Sequence, residues 1–447
     1  MSADQSLSLL SDLVADAKRA GADAVEAVWV DQTSLGVGWR LGALEHLERS
    51  ESSDIGLRVL IGKRQALVSS SDQSKDALAE LVERAVSMAR VVPEDPYIGF
   101  ADPDQLTTSF PDLDLYDATE PSAETLIDLA TRGEDAARAV AGVSNSDGSR
   151  AGWGRSHVAF VGSNGFAHAH SASHSSLSVS VLAGESKDAM ESDYDHTAAV
   201  YFSDLRTPED VGREAGERTV KRLGARKVNT GKFPLIFDQR VSRGLVSSLA
   251  SAINGAVVAR GTSFLKDSLG KKIFKSGIRI IDQPHRLRGM RSRPYDAEGL
   301  PTKSWNVIED GVLTTWIMDL RSARQLGLQS TGHASRGVSS APSPSVSNLY
   351  LEAGHITRDE MISDIDQGLY ITHMFGSGVN VVTGDFSRGA GGFWIDKGEL
   401  TYPVAEVTVA GNLKEMFPNL TPASDLELLH GIDAPTVRID GMTLAGK

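Results

Sequence analysis

The chain has 447 residues, 40% of them hydrophobic, no cysteine, and 59 acidic against 45 basic side chains, a formal net charge of −14. Such a chain can bury a substantial core divided into about two or three domains. The acidic balance speaks against a phosphate-backbone partner, so nucleic acid is not expected, and the missing thiols exclude disulfides, cysteine nucleophiles and thiolate metal ligands.

The amino-terminal stretch MSADQSLSLLSDLVADAKRAGAD has no cationic start followed by an apolar core, and no later stretch approaches a membrane span. A cytoplasmic location without a membrane partner is the expectation. Leu7, Leu10, Leu13, Val14 and Ala17 recur at helical spacing, and Gly21 is placed to stop that helix. Strands are expected at AVEAVWVDQ, SLGVGWRL, ALEHLERS and IGLRVLIGKRQALVSS, the last as two strands joined at Gly62. A second amphipathic helix spans Lys75 to Arg90. The proline-rich and aspartate-rich stretch from Val92 to Pro121 reads as a long irregular connection ahead of a third helix over Ser122 to Ala141. Alternating segments follow from Arg155 to Phe202. Thr207 before Pro208, Glu209 and Asp210 then starts a helix that should end near Gly224.

The fold class is therefore α+β. Residues 1–225 are expected to form an N-terminal α/β-type domain with a mixed sheet and helices, and residues 226–447 a mostly β C-terminal domain. In the second part SWNVIEDGVLTTWIMD is a hairpin turning at Asp310 and Gly311, and GGFWIDKGELTYPV is another turning at Lys397 and Gly398. Thr357 and Glu360 form a capping box.

Chemistry is sparse by comparison. HAHSASH offers His168, His170 and His174 on one strand face, but no carboxylate stands near to complete or orient a ligand set. On a straight strand His170 and His174 would lie roughly 13 Å apart, so a polar strand is preferred to a metal site. SFLK from Ser263 and KSG from Lys275 imitate penicillin-binding motifs at a spacing that rejects them. Gly376 to Thr383 alternates as a strand, with glycines where another backbone comes close, and a polar return loop follows. Gly376, Ser377, Gly378, Asn380, Asp385, Phe386 and Arg388 are thus the candidate substrate-binding residues, suited to holding an extended peptide backbone. No catalytic residue and no metal ligand is assigned. After the buried-strand run KFPLIFD comes a stretch of small residues, GLVSSLASAINGAVVARG, read as a helix that packs closely against a strand or a partner helix.

Several blocks carry a family likeness: PYDAEGLPTKSWNVIEDGVLTTWIMDLRSARQLG, GLYITHMFGSGVNVVTGDFSRGAGGFWIDKGELTYPVAEVTVAGNLKEMF and, upstream, DIGLRVLIGKRQALVSSSD, SNGF and SDYDHTAAVYFSDL. In this order, over nearly the whole chain, they resemble the TldD/PmbA family, long labelled modulators of DNA gyrase and understood as cytoplasmic peptidases. In the TldD branch the helix after the strand carries H-E-x-x-x-H, whose histidines hold zinc while the glutamate activates water, and a cysteine near the carboxy terminus completes the site. The corresponding residues here, Arg240 to Leu249, read RVSRGLVSSL. Serine hydroxyls do not replace imidazole and thiolate in that role, so the chain resembles the PmbA branch, also called TldE.

That resemblance implies a peptidase made of two kinds of chain, with zinc in the TldD-type partner and no cofactor in this one. This chain would complete the walls and entrance of a cavity that trims small or unfolded peptides, leader peptides and antitoxins among them. In isolation it is expected to form a homodimer, with Trp305, Trp316 and Trp394 as sources of apolar contact area. The alternatives are a stand-alone peptide-binding or scaffold protein and a hydrolase with a non-metal site.

Overall fold

The structure is a computed structural model describing residues 2–185, 190–376 and 378–447. Its N-terminal half is organised by β1 (Ala24–Arg40), β2 (Ala43–Ile61), β3 (Arg64–Ser70), β4 (Val143–Gly162), β5 (Ala167–Ala183) and β6 (Glu191–Ala199). They form one six-stranded sheet in the order β3-β2-β1-β4-β5-β6, antiparallel at every pairing. Segments expected as separate strands fuse: AVEAVWVDQ and SLGVGWRL are both β1, and ALEHLERS runs on into β2. The polar residues Gln32, Thr33 and Ser34 between them keep ladder partners in β2, so they continue the strand instead of turning. The turn comes at Leu41 and Gly42, both at positive φ, as a two-residue hairpin requires.

Helices α1 (Ala3–Arg19), α2 (Lys75–Val91), α3 (Ala123–Arg138) and α4 (Pro208–Lys221) cover one face of this sheet. Strand alternation shows why they share it. Val25, Ala27 and Trp29 of β1 pack with α1 and α2, Leu35 and Val37 with α3 and α4, and all five have the same parity. The opposite parity faces the C-terminal half: buried Glu26 accepts from both Arg58 and Arg336 at 3.0 Å, one carboxylate shared by two guanidinium groups.

The C-terminal half is built on a second six-stranded sheet, β16-β15-β14-β7-β19-β17. Its strands are β7 (Gly231–Phe237), β14 (Gln367–Phe375), β15 (Asp385–Asp396), β16 (Glu399–Asn412), β17 (Leu420–Pro422) and β19 (Val437–Ala445). A further pairing of β16 with β19 closes five of them into a ring. The one parallel pair in this sheet, β7 with β14, places the mixed sheet here and not in the N-terminal half, which corrects that detail of the expected α+β arrangement. A smaller sheet joins β8 (Ile280–Asp282), β9 (Trp305–Glu309), β10 (Val312–Leu313), β13 (Leu349–Leu351) and β18 (Ile432–Asp433), beside a short ribbon of β11 (Ala334–Ser335) and β12 (Ser343–Pro344). The helices of this half are α5 (Gln239–Ala252), α6 (Gly255–Ala259), α7 (Leu320–Leu326), α8 (Arg358–Ser363) and α9 (Leu413–Met416).

Both expected hairpins form, with Asp310, Gly311, Lys397 and Gly398 all at positive φ, and Thr357 and Glu360 make the expected capping box. Two expectations fail. Trp316 and Trp394 are buried in the chain's own core and do not offer an association surface, whereas Trp305 is half-buried, its indole donating to Thr331 O at 3.1 Å. The small-residue helix is broken at Ile253, where Asn254 accepts from Ala256 N at 3.0 Å and starts α6. No helix among the described residues is long and apolar enough to cross a membrane.

Candidate functional site

The site is built where parallel β7 hands over to α5. Asp238 caps the helix, its Oδ1 accepting from Arg240 N at 2.9 Å, while Oδ2 accepts from the Tyr370 hydroxyl of β14 at 2.5 Å. Burial, and then the Asp238 charge, push the Tyr370 phenol above its ordinary range, so it remains a donor at physiological pH. Helix spacing divides α5 into two faces. Ser242, Leu245, Val246, Leu249 and Ala252 are buried, whereas Arg240, Arg243, Gly244 and Ser247 open onto a recess of about 400 Å³. Packing and recess lining therefore occupy opposite faces of one helix.

The rest of the recess comes from both halves of the chain: Tyr194 of β6, Thr372, His373 and Met374 of β14, Arg388 of β15, and Arg291 and His430 from loops. Asp193, buried at the seam, accepts from Arg240 at 2.9 Å and from Arg222 at 3.4 Å. Burial opposes the Asp193 charge, but Arg240, the Tyr194 backbone and Arg222 together outweigh it and hold the carboxyl below its usual range. Arg222 donates to His373 Nε2 at 2.9 Å. Burial, then the Arg222 charge, lowers the His373 pKa to about 4. His430 stacks on His196 with ring centres 4.9 Å apart, and burial followed by the Arg243 charge lowers its pKa to about 4. The recess thus presents neutral imidazoles beside four guanidinium groups. No Asp or Glu lines it among the described residues.

Of the sequence-derived candidates, the structure brings only Arg388 to this recess. Gly376 follows the end of β14 at positive φ, and its carbonyl accepts from Arg388 Nε at 3.0 Å. Ser377 lies outside the described residues. The described residues 376 and 378–383 form not a strand but a loop, with a bridge between Val379 and Phe386 and a hydrogen bond from Phe264 N to Val381 O at 2.9 Å. Gly378 is a close-approach glycine, because an added Cβ would stand 1.5 Å from Ser387 O. Asn380 Oδ1 accepts from Val382 N at 2.9 Å, closing a turn of its own, and Asp385 accepts from Thr383 at 2.6 Å and Asn412 at 3.0 Å. Phe386 is 2% exposed within the main core. Strand alternation from Asp385 turns it inward, so it cannot contact substrate, and its assignment is corrected.

Elsewhere, His168 and His170 share the Tyr295 hydroxyl at 3.3 and 2.9 Å in a half-buried aromatic cluster, and Ser263 Oγ is spent on Ala252 O at 2.5 Å.

Sequence reasoning missed Asp193, Arg222, Arg243, His373 and His430. One signal was available: Arg240 and Arg243 stand near the positive end of a helix dipole, where cations are unfavourable without a compensating role.

The residues of this recess do not fit a zinc ion. His373 Nε2 is taken by Arg222, the helix contributes guanidinium and hydroxyl groups, and positive charge repels a dication. Among the described residues no group of three or more His, Cys, Asp or Glu side chains converges as a ligand set.

Fold and recess together define a class: an α+β scaffold whose antiparallel half lies against a mixed sheet, with a cationic recess over the helix that follows the parallel strand. The PmbA/TldA metallopeptidase models match in chain order, domain 1 at residues 25–89, the central domain at 116–223 and the C-terminal domain at 230–446. Metalloprotease PmbA of Escherichia coli O157:H7 is 39% identical over 430 residues, 95% of this chain and 93% of that one. A solved protein of Bacteroides thetaiotaomicron VPI-5482, named for DNA gyrase modulation, superposes with a TM-score of 0.92 at 26% identity over 100% of both chains. TldE from Thermococcus kodakarensis shares the fold, with a TM-score of 0.87 at 20% identity over 98% of this chain and 100% of its own. The chain belongs to the PmbA/TldA metallopeptidase family.

Proposed function

We propose that this chain is the PmbA/TldE-type, non-catalytic subunit of a two-component cytoplasmic metalloprotease. Zinc and the activating glutamate belong to a TldD-type partner, and this chain shapes the cavity in which small or unfolded peptides are degraded or trimmed. The observation that carries this is the recess-lining face of α5: a chain matched along its length to a metallopeptidase family presents Arg240, Arg243 and Ser247 on the segment where the TldD branch places its zinc ligands. Such a face does not activate water, but it can line a chamber and bind a substrate group.

The loop from Gly376 to Arg388 belongs to this proposal as a wall of the shared cavity. In the absence of the partner the chain associates with itself, and the β1–β2 hairpin tip, with Leu41, Leu44 and Leu47 each more than two-fifths exposed, supports such a contact. Light scattering of this chain mixed with the TldD-type protein of its source tests the assembly. A heterodimeric mass is expected. Two non-interacting species would favour the stand-alone scaffold reading.

A further inference from the structure

We propose that the recess over α5 is an oxyanion site whose ligand is the C-terminal carboxylate of a peptide, gripped by Arg243 and Arg388 with Arg291 at its rim. The proposal rests on the peptide-handling function above and names the substrate group that this subunit would recognise.

Charge pairing is the first argument. Around the recess the neighbouring arginines are matched: Arg240 with Asp193, Arg222 with Glu191, and Arg206 and Arg218 with Asp195. Among the described residues Arg243, Arg291 and Arg388 have no carboxylate within ion-pair distance, although all three line one recess. In a chain with 59 acidic side chains this is not a shortage of anions. Converging, unmatched guanidinium groups repel one another, and an anion entering between them removes that repulsion and gains charge-assisted hydrogen bonds.

Two of the three arginines are also held in place before any ligand arrives. Arg388 is tethered through Nε to Gly376 O, and its Nη1 lies 3.9 Å from the position a Cβ on Gly244 would occupy, so the guanidinium sits over α5. Arg291 Nη2 donates to Val346 O at 3.0 Å and Ser345 Oγ at 3.1 Å, which fixes it at the rim while leaving donors free. Arg243 makes no hydrogen bond or ion pair among the described residues, and His430 beside it is neutral and does not compete for the anion.

An arginine fork suits carboxylate and phosphate alike. The walls favour a peptide: Val241, Met374, Ile432 and Tyr194 add apolar and aromatic surface, and about 400 Å³ accommodates a terminal residue with its side chain, more than a bare ion fills.

The test is fluorescence anisotropy of the full chain with a fluorescein-labelled peptide of mixed sequence, as the free acid and as the C-terminal amide, with inorganic phosphate as a separate ligand. The free acid should bind about tenfold or more tightly than the amide, as expected for charge-assisted hydrogen bonds, and Arg243→Gln with Arg388→Gln should abolish that preference. Arg243→Lys, which keeps the charge, should restore part of it, and circular dichroism confirms that each variant is folded. Equal affinity for acid and amide, or no binding of the acid with or without the partner chain, overturns the proposal. Phosphate binding without acid preference assigns the arginines to a free ion and overturns it too. A two-chain peptidase that remains active while acid and amide bind alike removes this site and leaves the two-component function standing.

Discussion

Arg222 donates to Nε2 of His373 at 2.9 Å across the seam between the two halves of the chain. The contact fixes that nitrogen as an acceptor, adds to burial in keeping the imidazole neutral and ties the end of α4 to β14. It thereby turns a histidine that could have been a metal ligand into a structural contact.

The first prediction concerns acid stability. His373 titrates at about 4 in the folded chain, against about 6.5 when unfolded. Between those values the unfolded state binds more protons, so this contribution is present above about pH 6.5 and lost as pH falls toward about 4. Buried Asp296 and Glu298, whose pKa values burial raises, act in the opposite sense. Comparing the wild type with His373→Asn by urea unfolding cancels them. The stability of the wild type relative to the variant should fall on acidification, and a constant or growing difference would refute the assignment.

Asp238→Ala removes a helix cap and leaves the buried Tyr370 hydroxyl without its acceptor. Together these should destabilise the chain by about 2–4 kcal/mol. Asp238→Asn, which keeps a cap, should lose less. Equal losses in urea unfolding would mean that the carboxylate itself supports α5.

At the start of β15, neighbouring residues should behave in opposite ways. Phe386→Ala opens a core cavity and should cost about 3–5 kcal/mol. Asp385→Ala with Arg388→Ala should leave the melting temperature within a few degrees while lowering the peptidase rate of the two-chain complex. Retained activity, or failure to fold, would make the whole segment structural.

These contrasts show what was legible in the sequence. Asp310-Gly311 and Lys397-Gly398 announced their hairpins because two successive positive φ values admit few residue types, and the caps at Thr207 and Thr357 announced their helices. The segment from Gly376 to Thr383 misled. Its alternation imitates a strand, but the backbone leaves the sheet at Gly376, and Gly378 is required because Ser387 O approaches it. The recess was hidden for another reason. Arg222 and His373 lie 151 residues apart and Asp193 and Arg240 47 apart, and only docking of the two halves brings them together.

Zinc loading gives a further check. After equilibration with zinc and removal of the excess, elemental analysis should find far less than one ion per chain, because the imidazoles are taken up in other contacts. About one zinc per chain, lost in the H168A/H170A/H174A variant, would establish a site in the histidine strand.

The central claim is that this chain supports peptidase chemistry without performing it. Its most direct measurement is the rate of cleavage of an unstructured peptide, with zinc present, by this chain alone, by its TldD-type partner alone and by the mixture. The account predicts no cleavage by this chain alone and a rate for the mixture well above that of the partner. Chelator-sensitive cleavage by this chain alone would contradict it.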